Sequence, residues 1–402
     1  MNIGMVSTRF AGLDGVSLEA RKMAEALGQA GHTFSWFAGE LDPEFRPGMH
    51  VPAAFFGTPE NLALQAAIFG HDVVEPGVPR RLLKTVGELA GSLLTFVEDF
   101  GVDALVVQNA LAIPMQLPLG LAIAEVVAAS GVPTIGHHHD FGWERPRFAR
   151  CALEGIVDLA FPPTMAGLSH VVINLDARDA LFDRKGVEAT VLPNVMDFER
   201  GPRRSGRGEV YRNAAGLSDD DVIFLQPTRV IRRKGIELTI ELAHRLADPA
   251  IKVLVSHVDD LDATYWDELR ALAEDRRVDL RLVPAAPGGL GDPRLADAYA
   301  AADLVCYPSL YEGFGNALLE AFFYRRPVLV NRYPVYRRDI APTGVRCIEI
   351  DGAVDQVAVE TTARWLSDPG GEPATAAEAN YDVGRRHFSY GVLRDRILPL
   401  LG

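Results

Sequence analysis

Cysteine is scarce. Cys151, Cys306 and Cys347 are the only three in 402 residues, far apart, with no C-x-x-C pair and no His at metal-ligand spacing. A disulfide framework and a structural zinc site are thereby excluded, and a reducing compartment fits best. An uninterrupted apolar run of membrane-spanning length is also missing. The longest apolar region, Ala110 to Val127, is broken by Pro114, Gln116, Pro118 and Glu125, whereas a spanning helix needs about 20 apolar residues. Positive charge is in deficit: 40 Lys and Arg against 54 Asp and Glu give a net charge of −14, which excludes non-specific nucleic-acid binding but leaves room for a local basic patch. No solenoid-length repeat or low-complexity tract interrupts the chain. The N-terminal MNIGMVST lacks the basic start and long apolar stretch of a signal peptide and reads as a buried first strand. The expectation is a cytoplasmic protein.

What is present is ordinary globular composition, 48% hydrophobic and 23% charged, in a chain too long for one core and suited to two domains of about 200 residues. Short β-branched runs alternate with helical patterns in both halves: residues 2–6, 102-VDALVVQ-108, 132-VPTIG-136 and 170-HVVIN-174, then 222-VIFLQ-226, 251-IKVLVS-256, 303-DLVCYP-308 and 327-PVLVN-331. This rhythm predicts an α/β protein with two Rossmann-like doubly wound domains facing across a cleft. Met23, Ala24, Leu27 and Ala30 recur at helical spacing after a flexible stretch, 11-AGLDGVS-17, and predict the first helix. The polar, glycine- and arginine-rich stretch 199-ERGPRRSGRGEVYRN-213 marks the boundary, giving an N-terminal domain over 1–198 and a C-terminal domain from 199. Ligands of such sheets bind beyond the carboxyl ends of the strands, where the unusual residues fall.

Three segments could carry chemistry. In 307-YPSLYEGFGNALLEAFFYRRPVLV-330 a strand ends, a glycine turn follows and a helix begins near Asn316, so the turn Gly313 to Asn316 can receive an anionic or hydroxyl-rich ligand at the helix N-terminus. Glu312 precedes the helix and Glu320 lies in it among Leu318, Leu319, Ala321, Phe322 and Phe323. A carboxylate in that company needs a hydrogen-bonding partner, such as a ribose diol, or else turns to solvent on an amphipathic helix; both readings stay open. In 224-FLQPTRVIRRKGIELTIELAHRL-246 a strand runs into a basic turn and a helix, placing Arg229 and Lys234 where paired cations can neutralise a leaving diphosphate. A solvated basic loop is the plain alternative. In 134-TIGHHHDFGWERPRF-148 adjacent strand residues point to opposite faces, so His137, His138 and His139 cannot all ligate one metal, and no metal site is expected. A histidine cluster at a strand end suits sugar hydroxyls, with His138, Asp140, Trp143, Arg145 and Arg147 extending an acceptor wall whose arginines suit a carboxylate or phosphate. Gly15, ahead of the first helix, permits close backbone approach to a ligand.

Taken together these residues resemble the retaining GT-B glycosyltransferases of glycosyltransferase family 4. The resemblance rests on the glycine loop Gly12 to Gly15, His139-Asp140, the turn Pro193 to Asp197, TRVIRRKG, the block from Asp303 to Ala321 with its two glutamates, and YDVGRRHFSYGVL. It implies that Arg229 and Lys234 hold a donor diphosphate, that Glu312 and His139 contact the transferred sugar, that the Gly313, Phe314, Gly315, Asn316 and Ala317 turn meets sugar or phosphate, and that Glu320 binds ribose. His139, Arg229, Lys234 and Glu312 form the implied catalytic set. The resemblance also implies a donor domain over 199–384 and a last helix, about 385–402, crossing back to the first domain. No cofactor is required; the co-substrate is a UDP-, GDP- or ADP-sugar and the partner a small polar or anionic acceptor. Departures from the family pattern at 253-VLVSHVDD-260 and 280-LRLVPAA-286 fall near the nucleotide base and leave the nucleotide open. A lipid acceptor with peripheral membrane contact and a non-catalytic nucleotide-sugar binder are the alternatives. Oligomeric state is not addressed by the sequence.

Overall fold

The computed structural model describes residues 1–12, 14–202, 207–258, 261–284 and 293–401. The middle of the expected interdomain stretch, 203–206, and the ends of both departures from the family pattern, 259–260 and 285–286, lie outside the described residues. By its contacts the chain divides into two compact units, Met1–Pro193 with Leu393–Gly402, and Asn194–Val392.

The first unit is built on a seven-stranded sheet from β1 (Asn2–Phe10), β2 (Thr33–Leu41), β3 (Gly48–His50), β4 (Ala104–Gln108), β5 (Thr134–His138), β6 (Leu168–Val172) and β7 (Ala189–Val191), in the order β3-β2-β1-β4-β5-β6-β7. Every neighbouring pair is parallel. The strand order reverses between β1 and β4, which creates a switch point there. Parallel strands covered on both faces read as continuous apolar runs, and every residue of β4, ALVVQ, is buried. One cover is the helix Val78–Asp99, which buries Val78, Leu82, Val86, Leu89, Leu93 and Phe96 at helical spacing. Phe96 meets Phe37 of β2 with ring centroids 5.5 Å apart. Helix Gly15–Gly28 follows β1, and its N-cap is Asp14, whose side chain accepts from Val16 N and Ser17 N. Gly15 is therefore the first helical residue rather than part of a flexible loop ahead of the helix. From the C-terminal tail, Arg394 Nη1 donates to Gln29 Oε1 at 3.2 Å, and Arg396 donates to Val191 O.

The second unit carries a six-stranded parallel sheet of β8 (Val222–Gln226), β9 (Ile251–Val255), β10 (Asp279–Leu282), β11 (Leu304–Tyr307), β12 (Val328–Asn331) and β13 (Ile348–Ile350), ordered β10-β9-β8-β11-β12-β13. Its switch point lies between β8 and β11. The expected linker is only partly a linker. Helix Gly208–Ala215 occupies its end, Tyr211 Oη donates to Val283 O at 2.8 Å, and Arg207 N donates to Asp297 Oδ1 at 2.6 Å. The division of the chain falls earlier, ahead of Asn194, because the PNVMD turn is tied into the second unit: Asn194 Nδ2 donates to Asn316 Oδ1 at 2.8 Å, and Met196 bridges Ser389.

Candidate active site

In the second unit the chemistry-bearing loops leave the two strands of the switch point. After β8 the chain passes Thr228 and Arg229 into a short 3-10 turn, Arg232–Lys234, and then into helix Ile236–Leu246. Gly235 joins turn to helix at φ +62°, and a Cβ there would stand 2.5 Å from Pro308 O, so only glycine lets this loop close onto the one that follows β11. Leu310 N donates to Arg233 O at 2.8 Å and completes the closure.

The two loops meet in a buried charge cluster. Lys234 Nζ is ion-paired with Glu312 Oε1, and Arg233 Nη1 donates to Glu312 Oε2 at 2.7 Å. Lys234 and Glu312 are only 8% and 7% exposed, so each charge depends on the other for compensation. Burial pushes the Glu312 carboxyl up, but Lys234 and Arg233 outweigh it and hold the group below its ordinary value. Burial likewise lowers Lys234, with Glu312 pulling it up and Arg233 and Arg229 adding to the lowering. Arg229 is half-buried and close enough to be felt by Lys234. Arg233 is the member of this group that the sequence reading passed over.

The turn before helix Asn316–Phe323 is held from beneath. Gly315 sits at φ +134°, a conformation for glycine alone, and a Cβ there would lie 2.5 Å from Tyr333 Oη. Tyr333 Oη in turn donates to Phe314 O at 2.6 Å. Gly315 caps the helix without a side chain, which leaves the Gly313 to Ala317 backbone as the surface the turn presents. Glu320 is half-buried, and its partner is a protein group: Tyr299 Oη donates to Glu320 Oε2 at 2.9 Å. The apolar neighbourhood of this carboxylate is thus explained without a ligand, although neither of the two sequence readings named the tyrosine.

In the first unit the three histidines separate by face. His137 Nδ1 lies 3.0 Å and His139 Nε2 3.1 Å from the same atom, Gln108 Oε1. An amide oxygen only accepts, so both rings donate to it, and a neutral His139 keeps a lone pair on Nδ1. Burial lowers His139, while Glu19, Asp140 and Asp14 raise it, with a net lowering. His138 points away and pairs with His170, Nε2 to Nδ1 at 2.9 Å, which places it in the core rather than on an acceptor wall. Asn109 links the strand ends: its Oδ1 accepts from His139 N at 3.0 Å, and its Nδ2 donates to Asp140 Oδ1 at 2.9 Å. Arg145 Nε donates to Asp140 Oδ2 at 2.9 Å. Trp143 stacks on Phe141 with centroids 4.2 Å apart, and Arg147 is exposed over Phe148. Gln108, which orients His139, was missed; its only signal is a lone amide at the end of an otherwise apolar strand.

Asn109 and Arg145, the two partners of Asp140, border a cavity of about 200 Å³ at the β1/β4 switch point, lined also by Thr8, Arg9, Asp14 and Gln108 among others. Among the described residues no cluster of three His, Cys, Asp or Glu side chains is placed to hold a metal ion, and no helix is long and apolar enough to cross a membrane.

Two Rossmann-like units with loop clusters at their switch points define a class of protein, and comparison with solved structures gives it a name. A glycosyltransferase from Rickettsia africae superposes with a TM-score of 0.71 at 13% identity, covering 100% of this chain and 97% of its own. Anabaena HepE in complex with UDP and glucose gives a TM-score of 0.69 at 14% identity, covering 99% and 98%. The fold is GT-B. Residues 209–382 match the family described as glycosyl transferases group 1. Mannosylglucosylglycerate synthases of Petrotoga mobilis and Thermotoga maritima are each 30% identical, over 87% and 98% of this chain and 86% and 98% of their own. A D-inositol 3-phosphate glycosyltransferase of Catenulispora acidiphila is 29% identical over 69% of this chain and 68% of its own. The chain belongs to the group 1 glycosyltransferases.

Proposed function

We propose that this enzyme is a retaining, cytoplasmic glycosyltransferase of family 4 that moves a hexose from a nucleotide-diphosphate sugar to a hydroxyl of a small polar or anionic acceptor without a metal ion. The observation that carries the reading is the buried pair Lys234 and Glu312, joined by the half-exposed Arg233 beside Arg229, at the β8/β11 switch point. Two cations, Lys234 and Arg233, share that single carboxylate and Arg229 is close enough to act on Lys234, which is an arrangement able to receive a diphosphate. The second unit is accordingly assigned to the donor: Arg229 and Lys234 to its diphosphate, Glu312 and the Gly313 to Ala317 turn to the sugar and phosphate, and Glu320 to the ribose. Gly15 and His139 are assigned to the donor as well, and Asp140, Trp143, Arg145 and Arg147 to the acceptor. The relatives named above as acting on glycerate and inositol derivatives support a small acceptor, and the UDP bound by HepE supports a nucleotide donor.

In the proposed reaction the acceptor oxygen attacks the anomeric carbon from the face the diphosphate leaves. The bond from that carbon to the phosphate oxygen breaks as the new glycosidic bond forms, and the acceptor's proton passes to the departing phosphate. Arg229, Lys234 and Arg233 stabilise the charge that grows on the leaving group. Glu312, released from Lys234, accepts from sugar hydroxyls.

Thermal unfolding with UDP, GDP and ADP, without added metal, tests the donor site. A nucleotide at 100 times its dissociation constant adds about 2.7 kcal/mol of stability. Selective stabilisation by one of them is expected, and it identifies the sugar nucleotides to assay. Failure of all three would remove the donor assignment.

A further inference from the structure

The cavity at the β1/β4 switch point carries a charge pattern that goes beyond the assignment of Arg145 to the acceptor. At about 200 Å³ it is smaller than the roughly 300–1,000 Å³ of a drug-sized site, so its occupant is compact. Two guanidinium groups, Arg9 and Arg145, line it, and each has donor capacity left over. Arg9 Nε is buried without a hydrogen-bond partner. Glu40 Oε2 lies 3.0 Å from it, out of line for a bond, in a pair whose side chains are 36% and 45% exposed. So exposed a pair contributes little and is readily replaced. Arg145 gives Nε and Nη2 to Asp140 Oδ2, and its Nη1 meets only Met115 Sδ at 3.8 Å, a weak acceptor. Since Asp140 is itself held by Asn109, the fork of Arg145 is fixed in orientation with one edge unspent. Asp14 also lines the cavity, but its oxygens are engaged in capping the helix through Val16 N, Ser17 N and Ser17 Oγ.

We infer that this cavity receives the anionic group of the acceptor, with Arg9 and Arg145 as its two cationic walls, so that the enzyme selects small polyols bearing one carboxylate or phosphate. Arg9 exchanges Glu40 for the acceptor's anion, and Arg145 adds its unspent edge. The same Asn109 that fixes Asp140 also accepts from His139 N, so the bound anion is registered against the histidine assigned to the transferred sugar. The inference rests on the proposed transfer to a small acceptor.

The test is calorimetric titration of the full chain with glucosylglycerate, with inositol phosphate and with neutral glucosylglycerol, alongside the nucleotide titrations. At least one anionic compound is expected to bind tenfold or more tightly than glucosylglycerol; which one binds separates a carboxylate from a phosphate. Arg9→Gln and Arg145→Gln are each expected to weaken the anion about tenfold with the affinity for nucleotide unchanged, and Arg9→Gln is expected to leave the weak binding of glucosylglycerol unchanged as well. Equal binding of charged and neutral compounds, no binding of either anion, or no effect of Arg9→Gln overturns the inference even where a nucleotide binds. Loss of all nucleotide binding instead strikes at the transferase reading. If Arg145→Gln melts at a much lower temperature than the parent, Arg9→Gln, whose side chain is more loosely held, carries the test alone.

Discussion

Glu312 occupies two cations, Lys234 and Arg233, in the absence of ligand, and a diphosphate must take them over. Lys234→Ala removes the buried cation while Arg233 remains 2.7 Å from the carboxylate. The stability loss should therefore fall short of the about 3–5 kcal/mol typical of a buried charge left unpaired. Transfer, by contrast, should drop at least about 100-fold, the usual consequence of losing a donor aimed at developing charge. An unchanged rate with the correct sugar nucleotide would disprove the diphosphate role. A second residue-scale effect concerns the core histidines. Burial lowers His170 to about 4 and holds His137 and His138 well below the ordinary imidazole value. The folded state then binds fewer protons than the unfolded chain between about pH 4 and 6.5, so stability rises with pH across that window and is lost as the pH falls through it. His170 alone accounts for about 3 kcal/mol. Melting temperatures measured from pH 7 to 4 should fall steeply, and His170→Gln should flatten the slope; an unaltered slope would show that folding leaves the pKa of His170 unshifted.

At the scale of elements, the loops of the candidate donor site are fixed by two glycines whose constraints differ. Gly235→Ala places a methyl against Pro308 O, where backbone must move. The expected result is a loss of about 1–3 kcal/mol together with weaker nucleotide binding, because Lys234 immediately precedes the displaced joint. Urea unfolding and nucleotide titration on the same variant check both halves, and wild-type affinity would uncouple the joint from the site. The strand-to-helix joints were legible because each is local: FLQPTRVIRRKG and YPSLYEGFGNALLEA contain their own strand, turn and helix signals. What stayed hidden was contact made at long range. Strands β2 and β3 were passed over since TFSWFAGEL mixes small and aromatic residues without a clear period, and only pairing with β1 defines it as a strand. The helix inside the expected linker was hidden by its flanking glycines and arginines, and becomes visible only once Tyr211 finds Val283 O. Tyr299 behind Glu320, Tyr333 behind Phe314 and Gln108 behind His139 come from distant segments, so no motif spacing announces them.

For the whole molecule the question is where the donor acts along a chain with two sheets of similar design. Each sheet has a switch point, and architecture alone gives no preference between them. Charge does. In the second unit Lys234 and Arg233 share one carboxylate, Glu312, with Arg229 nearby, whereas in the first unit the two lining arginines each stand beside a carboxylate of their own, Glu40 and Asp140. Excess cation at the second sheet suits a group of high charge such as a diphosphate, whereas the first, where Asp14 adds a third carboxylate to Glu40 and Asp140, has no such excess and suits an acceptor with a single charge held by the arginine forks. Hydrogen exchange with and without the stabilising nucleotide diphosphate reads this directly, because slowed exchange reports amides that bind or are ordered. The largest protection is expected over residues 228–236 and 309–320, with smaller changes at 7–16 and 137–147; a glycerate or inositol-phosphate acceptor should reverse that order. Dominant protection of 7–16 and 137–147 by the nucleotide alone would place the donor on the first sheet and exchange the roles of the two units.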